Sequence, residues 1–417
     1  MTSRLLILYS TVLLIVILRV VLHGNPSPLA EGEEISFTTR LVTTPKEKNH
    51  TQQFFLKAPN GESILVRTTK YPRYLYGQLL QVRGTVDHYV LDNGKIITTM
   101  SFPQIQIIQN DINLLFISAT WIRERIRETF SASLPPTASS LLLGIVLGQK
   151  SLPDEFVKDL QSTGLMHVVA ASGMNVALVA GFLMTFLNHY FNRSLAIKLS
   201  ILGIAFYTII AGLEPSIMRA GIMAVITFSA YLLGRQNTAF VTLFLTASLM
   251  LLLNPDLIED IGFQLSFAAT AGMIFLRPHL AISKQDGKGS SKNLSFLIQD
   301  DLAATIAAQL ATVPLLLAYF HSYGLLSVVV NALVLWTIPP LMIIGGVASL
   351  LGLILPPLGG LVALLSLPFL FYFETMVRIF APITPIFSIN FLPWPIIIGY
   401  YILIIAFLIS KKHRTIS

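Results

Sequence analysis

Leu326-Ser-Val-Val-Val-Asn331-Ala-Leu-Val-Leu-Trp336-Thr-Ile-Pro339-Pro340-Leu-Met-Ile-Ile-Gly345-Gly346-Val-Ala-Ser-Leu-Leu-Gly352-Leu353 runs on without a charged side chain. A stretch this long and apolar is read as a membrane segment. Yet Pro339-Pro340 and Gly345-Gly346 interrupt it. Broken backbone at membrane depth is tolerated only where it is buried in protein or lines a wet cavity. The pattern therefore favours a transport route over a simple anchor.

Working outward, similar apolar runs cover 139–147, 165–187, 196–212, 217–233, 239–253, 263–275, 302–319, 361–380 and 395–409. With the opening stretch they make about ten segments, several too short to span unbroken. Of 417 residues, 54% are hydrophobic and 12% charged, and the mean hydropathy is +0.71. Soluble domains carry about 25% charged residues, so a soluble protein is excluded. The net charge of +7 is spread over short links and termini, as expected at membrane edges. There is no cysteine, which excludes disulfides, thiolate metal sites and cysteine nucleophiles.

The N-terminal third has a different composition. Leu5–Leu22 is long enough to span, with Arg4 before it and Arg19 near its far end. Residues 1–30 are expected to be an uncleaved anchor; a signal peptide would have a shorter apolar core and a better cleavage site than Ser27-Pro28-Leu29-Ala30. Residues 31–110 alternate in short polar and apolar runs, with Asn60-Gly61 and Asn93-Gly94 as turn signals. About five strands in so short a stretch call for a closed barrel, because an open sheet would leave bare edges. An OB-like barrel is expected, with a small sandwich as the alternative. Residues 111–134 repeat Leu115, Ala119, Ile122, Ile126 and Phe130 at helical spacing beside Arg123, Glu124, Arg125, Arg127 and Glu128. Such a helix lies in the membrane interface or packs on the barrel as a solvated linker. Residues 135–417 form the membrane bundle. The expected fold is thus a polytopic α-helical membrane protein, some segments broken or re-entrant, with an inserted small OB-like β-barrel.

Several polar residues stand where a bilayer discourages them. His167, Ser172 and Asn175 interrupt one apolar run, either as a helix break lining a path or as packing among small residues. Glu214 precedes Pro215 at a helix start, and Arg219 lies about one turn inside, where a guanidinium is costly unless paired or wet. Gln264 lies between Phe263 and Phe267, and Gln309 and Asn331 add polar points further on. Glu374 and Arg378 are spaced to pair with each other. The eight histidines form no cluster of metal-ligand spacing, and no Walker-type glycine loop is present. No catalytic residue, cofactor or metal is expected.

Together these stretches resemble the ComEC competence family, the bacterial inner-membrane channel for imported DNA. The likeness rests on Leu147-Gly-Gln-Lys-Ser-Leu-Pro-Asp154, Thr163-Gly-Leu-Met-His167, Ser172-Gly-Met-Asn175-Val176, Ser216-Ile-Met-Arg219-Ala220, Gly262-Phe-Gln-Leu-Ser-Phe267 and Gln309-Leu-Ala-Thr-Val-Pro314 with Asn331. The family usually has histidine where this chain has Asn175. Many relatives also carry a C-terminal metallo-β-lactamase-like domain, whose histidines are absent here.

The resemblance implies a multi-pass protein of the bacterial inner membrane that passes single-stranded DNA to the cytoplasm. His167, Ser172, Asn175, Glu214, Arg219, Gln264, Gln309 and Asn331 would line the path. Arg67, Lys70, Arg73 and Arg83, with Tyr71, Tyr74 and Tyr76, would serve DNA in an external OB-like domain. That domain has nine basic and seven acidic residues, a mild attractor. Expected partners are single-stranded DNA, membrane lipids, and separate DNA-receptor, nuclease and DNA-translocation proteins; homo-oligomerisation stays open. A transporter for another solute is the alternative function. An intramembrane enzyme using His167, Ser172 and Asn175 is a third reading, weakened because one straight helix would not bring His167 and Ser172 together.

Overall fold

The computed structural model describes residues 3–23, 29–41, 45–48, 51–90, 96–109, 114–149, 152–169, 173–235, 238–280, 294–389 and 392–414. The turn expected at Asn93-Gly94, Ser172, and the basic link with Lys284, Lys288 and Lys292 lie outside these residues.

After α1 (Ser3–Leu22) come β1 (Glu34–Arg40), β2 (Lys46–Lys48), β3 (Thr51–Lys57), β4 (Ser63–Thr69), β5 (Leu79–Thr85), β6 (Asp87–Val90), β7 (Ile96–Ser101) and β8 (Gln104–Gln109). They form two sheets, ordered β1-β5-β8 and β2-β3-β4-β7-β6. All pairs are antiparallel except β4 with β7. Alternation places Phe54 and Leu56 of β3, Ile64 and Val66 of β4, and Leu80 and Val82 of β5 inward. With Phe37, Leu41 and Met100 they fill one core shared by both sheets. The segments outnumber the five or so strands expected because longer strands are interrupted. Val86 alone separates β5 from β6, and Phe102-Pro103 separates β7 from β8, where proline removes a ladder donor. Asn60-Gly61 makes its turn as expected: Gly61 has φ +91, and the Asn60 side chain accepts from the Glu62 amide at 3.1 Å.

Helices follow: α2 (Leu114–Ser133), α3 (Pro136–Leu147), α4 (Asp154–Ser162), α5 (Met166–Val169), α6 (Gly173–Tyr190), α7 (Arg193–Ile210), α8 (Pro215–Leu232), α9 (Ala239–Leu253), α10 (Ile261–Phe275), α11 (Arg277–Leu280) and α12 (Leu294–Phe320). Next come β9 (Ser322–Gly324), α13 (Ser327–Val334), α14 (Ile338–Ile354), α15 (Pro356–Leu364), α16 (Leu367–Phe380), β10 (Ile386–Ser388) and α17 (Trp394–Arg414). Among the described residues, five stretches are long and apolar enough to cross a membrane: Arg193–Ile210, Pro215–Leu232, Leu302–Phe320, Ser327–Ile354 and Trp394–Lys411. The pair α15–α16, bent by 51°, makes a sixth if it counts as one span. The expected ten segments therefore counted shorter apolar helices such as α3, α9 and α10, which fall below bilayer length. The quoted stretch 326–353 is broken as its prolines require. A 3-10 turn, Leu335–Thr337, joins α13 to α14, whose first turn holds Pro339.

The bundle is organised around α3. Nine of its residues are buried, and its core continues into α2, α4, α5, α13, α14 and α16. A second cluster joins α6, α7 and α8, and a third joins α1, α9 and α10. Helix α2 places Ile126 and Phe130 in the core of this bundle and also buries Ala119. Small residues set the helix spacing: a Cβ on Gly272 of α10 would lie 2.5 Å from the Ala307 carbonyl of α12.

The β domain sits on one end of the bundle. Lys57 of β3 and His23 after α1 both reach Asp256, in the turn between α9 and α10, at 2.6 and 2.9 Å. Arg73 pairs with Glu124 of α2 at 3.1 Å, and Tyr76 stacks on Phe116 at 4.1 Å. Arg193, Arg235, Arg277 and Lys411 stand at the other ends of their helices.

Gly272→Ala is expected to destabilise the protein by about 1–3 kcal/mol through overpacking. Gly346→Ala, with no heavy atom within 4 Å of the new Cβ, is expected to be neutral or stabilising by up to about 1 kcal/mol. Thermal unfolding of both variants in detergent checks this contrast.

Candidate functional site

A helix leaves its last four carbonyls without partners, and α3 ends inside the protein. Asn175 of α6, 1% exposed, donates its amide to the Ile145 carbonyl at 2.6 Å. Tyr207 of α7 donates its hydroxyl to the next one, Val146, at 2.9 Å. Gly148 closes the helix in the left-handed region, φ 73. The end of α7 is met similarly: Arg123 of α2 donates to the carbonyls of Ile209, at 2.8 Å, and Ile210. Arg123 thus places its charge at the negative end of the α7 dipole.

Arg219 lies on α8, one turn after Pro215, where the sequence puts it, and is only 8% exposed. Its Nε donates to the Ser266 hydroxyl of α10 at 2.5 Å, its Nη1 faces the Met223 sulfur at 3.4 Å, and its guanidinium lies 5.9 Å from the Phe267 ring centre. Gly173 of α6 closes the other side, where a Cβ would lie 2.6 Å from Nη2. Glu214 takes the N-cap position of the same helix without a side-chain capping hydrogen bond.

The remaining points connect around this centre. Gln264 donates to the Ile258 carbonyl at 2.7 Å and accepts from Tyr319 of α12 at 2.9 Å. Gln309 accepts from Tyr323 at 2.7 Å, and the Tyr323 oxygen accepts from Ser327 at 2.9 Å. Asn331, one turn beyond Ser327, is 3% exposed and its Oδ1 has no partner among the described residues. Gly164 packs on Ser327, and its carbonyl is 3.0 Å from His167 Nδ1. His167, on the short helix α5, keeps an exposed side chain beside the buried Val168 and Val169. The structure thus gathers His167, Asn175, Arg219, Gln264, Gln309 and Asn331 on neighbouring elements; Ser172 is outside the described residues. Residue types alone did not single out Ser266, Tyr207, Tyr323, Ser327 or Arg123 as partners. A lone hydroxyl in an apolar run was their only signal, and Arg123 was grouped with the polar face of its helix.

The basic residues of the β domain do not form one group. Arg67 is exposed on β4, whereas Arg83 of β5 pairs with Glu34 across the other sheet at 2.9 Å. Arg73 serves the joint with α2. Tyr74 is core, 6% exposed, and Tyr76 is taken by Phe116, leaving Tyr71 as the exposed ring of the three expected. At the other joint, partial burial alone would raise the Asp256 pKa, but Lys57 and His23 outweigh it and hold it below its ordinary value. Glu124 is likewise held low: burial would raise it, and Arg127 and Arg73 more than offset that. Among the described residues, no three histidine or acidic side chains could hold a metal.

Residues 145–414 match the family model described as Competence protein. This chain belongs to the Competence protein family. The matched residues include Asn175, Arg219, Gln264, Gln309 and Asn331, together with His167. Curated relatives include ComE operon protein 3 of Bacillus subtilis, 28% identical over 51% of this chain and 26% of its own length. An uncharacterized protein of Aquifex aeolicus is 27% identical over 47% of this chain and 48% of its own. The uncharacterized protein YcaI of Escherichia coli is 25% identical over 50% and 29%. The chain thus matches half or less of the length of these relatives. No solved structure matches it.

Asn175→Ala leaves a buried carbonyl without its donor and is expected to cost about 1–3 kcal/mol. Asn175→Asp, which sets an acceptor against that carbonyl, should cost more; equal unfolding temperatures for wild type and both variants in detergent would refute the capping role. At the domain joint, a lowered Asp256 pKa means that its stabilisation is present above the ordinary carboxylate pKa and is lost as pH falls through the lowered one. Asp256→Asn is therefore expected to be less stable than wild type at neutral pH by under about 1 kcal/mol, since the joint is partly exposed. The two unfolding curves should converge on acidification.

Proposed function

We propose that this chain is the inner-membrane channel through which single-stranded DNA enters the bacterial cytoplasm during natural transformation. The belt of polar side chains inside the bundle carries this reading. Arg219, Ser266, Gln264, Gln309, Ser327 and Asn331 lie on neighbouring elements, with His167 exposed among them. Polar and ionisable groups at membrane depth mark a path by default. Membership of the Competence family and similarity to a ComE operon product support the same reading. In it the lining comprises His167, Ser172, Asn175, Glu214, Arg219, Gln264, Gln309 and Asn331, and the chain is multi-pass. It performs no catalysis and needs no resident cofactor.

The basic helix ends opposite the β domain, with Lys284, Lys288 and Lys292 in the sequence after Leu280, support a cytoplasmic placement of that side. The β domain is then extracytoplasmic. An OB-like barrel is supported by its strand pairing. The sheets β1-β5-β8 and β2-β3-β4-β7-β6 share one core, and β5 runs on into β6 across Val86 and β7 into β8 across Phe102-Pro103, so two strands pass from one sheet to the other. Such barrels hold strands by basic grooves and stacking rings. Arg67, Lys70 and Arg83 with the exposed Tyr71 serve here, Arg73 being committed largely to the joint. In this reading the channel is embedded in lipid and works with a DNA receptor, a nuclease and a cytoplasmic translocation protein.

The test is entry of labelled DNA into naturally competent cells with this gene deleted and then restored. Loss of entry with surface binding retained, and recovery on restoration, is expected. Unchanged entry would transfer the belt to a transporter of another solute, a role broken helices also suit.

A further inference from the structure

Arg219 is the one side chain of the belt whose charge nothing described balances. It is 8% exposed, and its described contacts are a hydroxyl, a thioether, a ring and a glycine. Taking a cation out of water without a partner costs several kcal/mol, so the arrangement is stable only where an anion or water visits. Neutral contacts on Nε and Nη1 orient the guanidinium. Nη2 is left without a hydrogen-bond partner among the described residues, and the side chain that would have filled the space beside it is missing at Gly173. A planar guanidinium is suited to an oxyanion with two adjacent oxygens, a phosphate above all.

We propose that Arg219, flanked by Gly173 and Ser266, is a transient binding site for one phosphodiester group of the strand. Among the described residues no carboxylate is fixed to the guanidinium, and this keeps the site open, because a resident counter-ion would compete with each arriving phosphate. No second arginine stands beside it among the described residues, which keeps the hold weak enough for release, as conduction requires. This rests on the channel reading and names the charge recognised within it.

The experiment uses the full chain in nanodiscs, a short fluorescein-labelled oligothymidylate, and binding measured across a potassium chloride series. Losing one phosphate contact to a single strand lowers the slope of log affinity against log salt by about 0.7. Arg219→Gln is expected to show that loss. Arg219→Lys should keep the slope, and Arg235→Gln, at the far end of the same helix, should leave it unchanged. Gly173→Ala, which crowds Nη2, is expected to weaken binding and gives a second readout should Arg219→Gln fold poorly. An unchanged slope in a well-folded Arg219→Gln, or unchanged binding in Gly173→Ala, overturns the site while leaving the channel reading intact. If inorganic phosphate raises the unfolding temperature of wild type but not Arg219→Gln, while oligonucleotide binding is equal, the site serves a free oxyanion and the phosphodiester proposal fails. No oligonucleotide binding by wild type, with normal DNA entry in deleted cells, defeats the channel reading itself.

Discussion

The protein depends on a helix that stops too early. Helix α3 has 12 residues, about 18 Å at 1.5 Å per residue, and its end is enclosed by other helices. Carbonyls left bare in that interior would each cost the desolvation of a strong acceptor. Asn175 and Tyr207 supply the missing donors from two different helices, so one terminus draws α6 and α7 onto the central core. A histidine with an N–H directed at the same carbonyl could do the same work. The asparagine therefore needs no titration to be useful here.

The same economy recurs around Arg219. Helices α6, α8 and α10 meet there because Gly173 has no side chain and Ser266 offers an oxygen. Close approach through small residues is how helices associate where the hydrophobic effect between them is weak. The β domain joins this assembly at two places that lead towards the same centre. Through Lys57 and Asp256 it touches the turn that begins α10. Through Arg73 and Glu124 it touches α2, whose Arg123 holds the end of α7 just before α8 begins. Helices α8 and α10 are thus within two contacts of the β domain.

Much of this was legible beforehand, for a definite reason. Bilayer segments announce themselves by long uncharged runs, so the membrane character and the break at Pro339-Pro340 could be read directly. The Asn60-Gly61 turn, the helix start at Pro215 and the Glu374–Arg378 pair, 2.8 Å apart, follow from local rules that act over a few residues. The number of full spans was less legible, because a short apolar run looks alike whether it crosses lipid or is buried in protein, as α3 is. The strand count differed because Val86 and Phe102-Pro103 cut strands at places that alternation alone does not mark.

The sequence by itself determined where polar groups interrupt apolar helices, since that requires only the identity of residues and their spacing. Only the tertiary structure decided what each interruption does. Asn175 caps a carbonyl thirty positions away, Tyr76 and Arg73 hold a domain joint, and Arg219 stands without a counter-ion among the described residues. Hydrogen bonds and charges act over a few ångströms, and the fold alone sets which distant residues come within that reach.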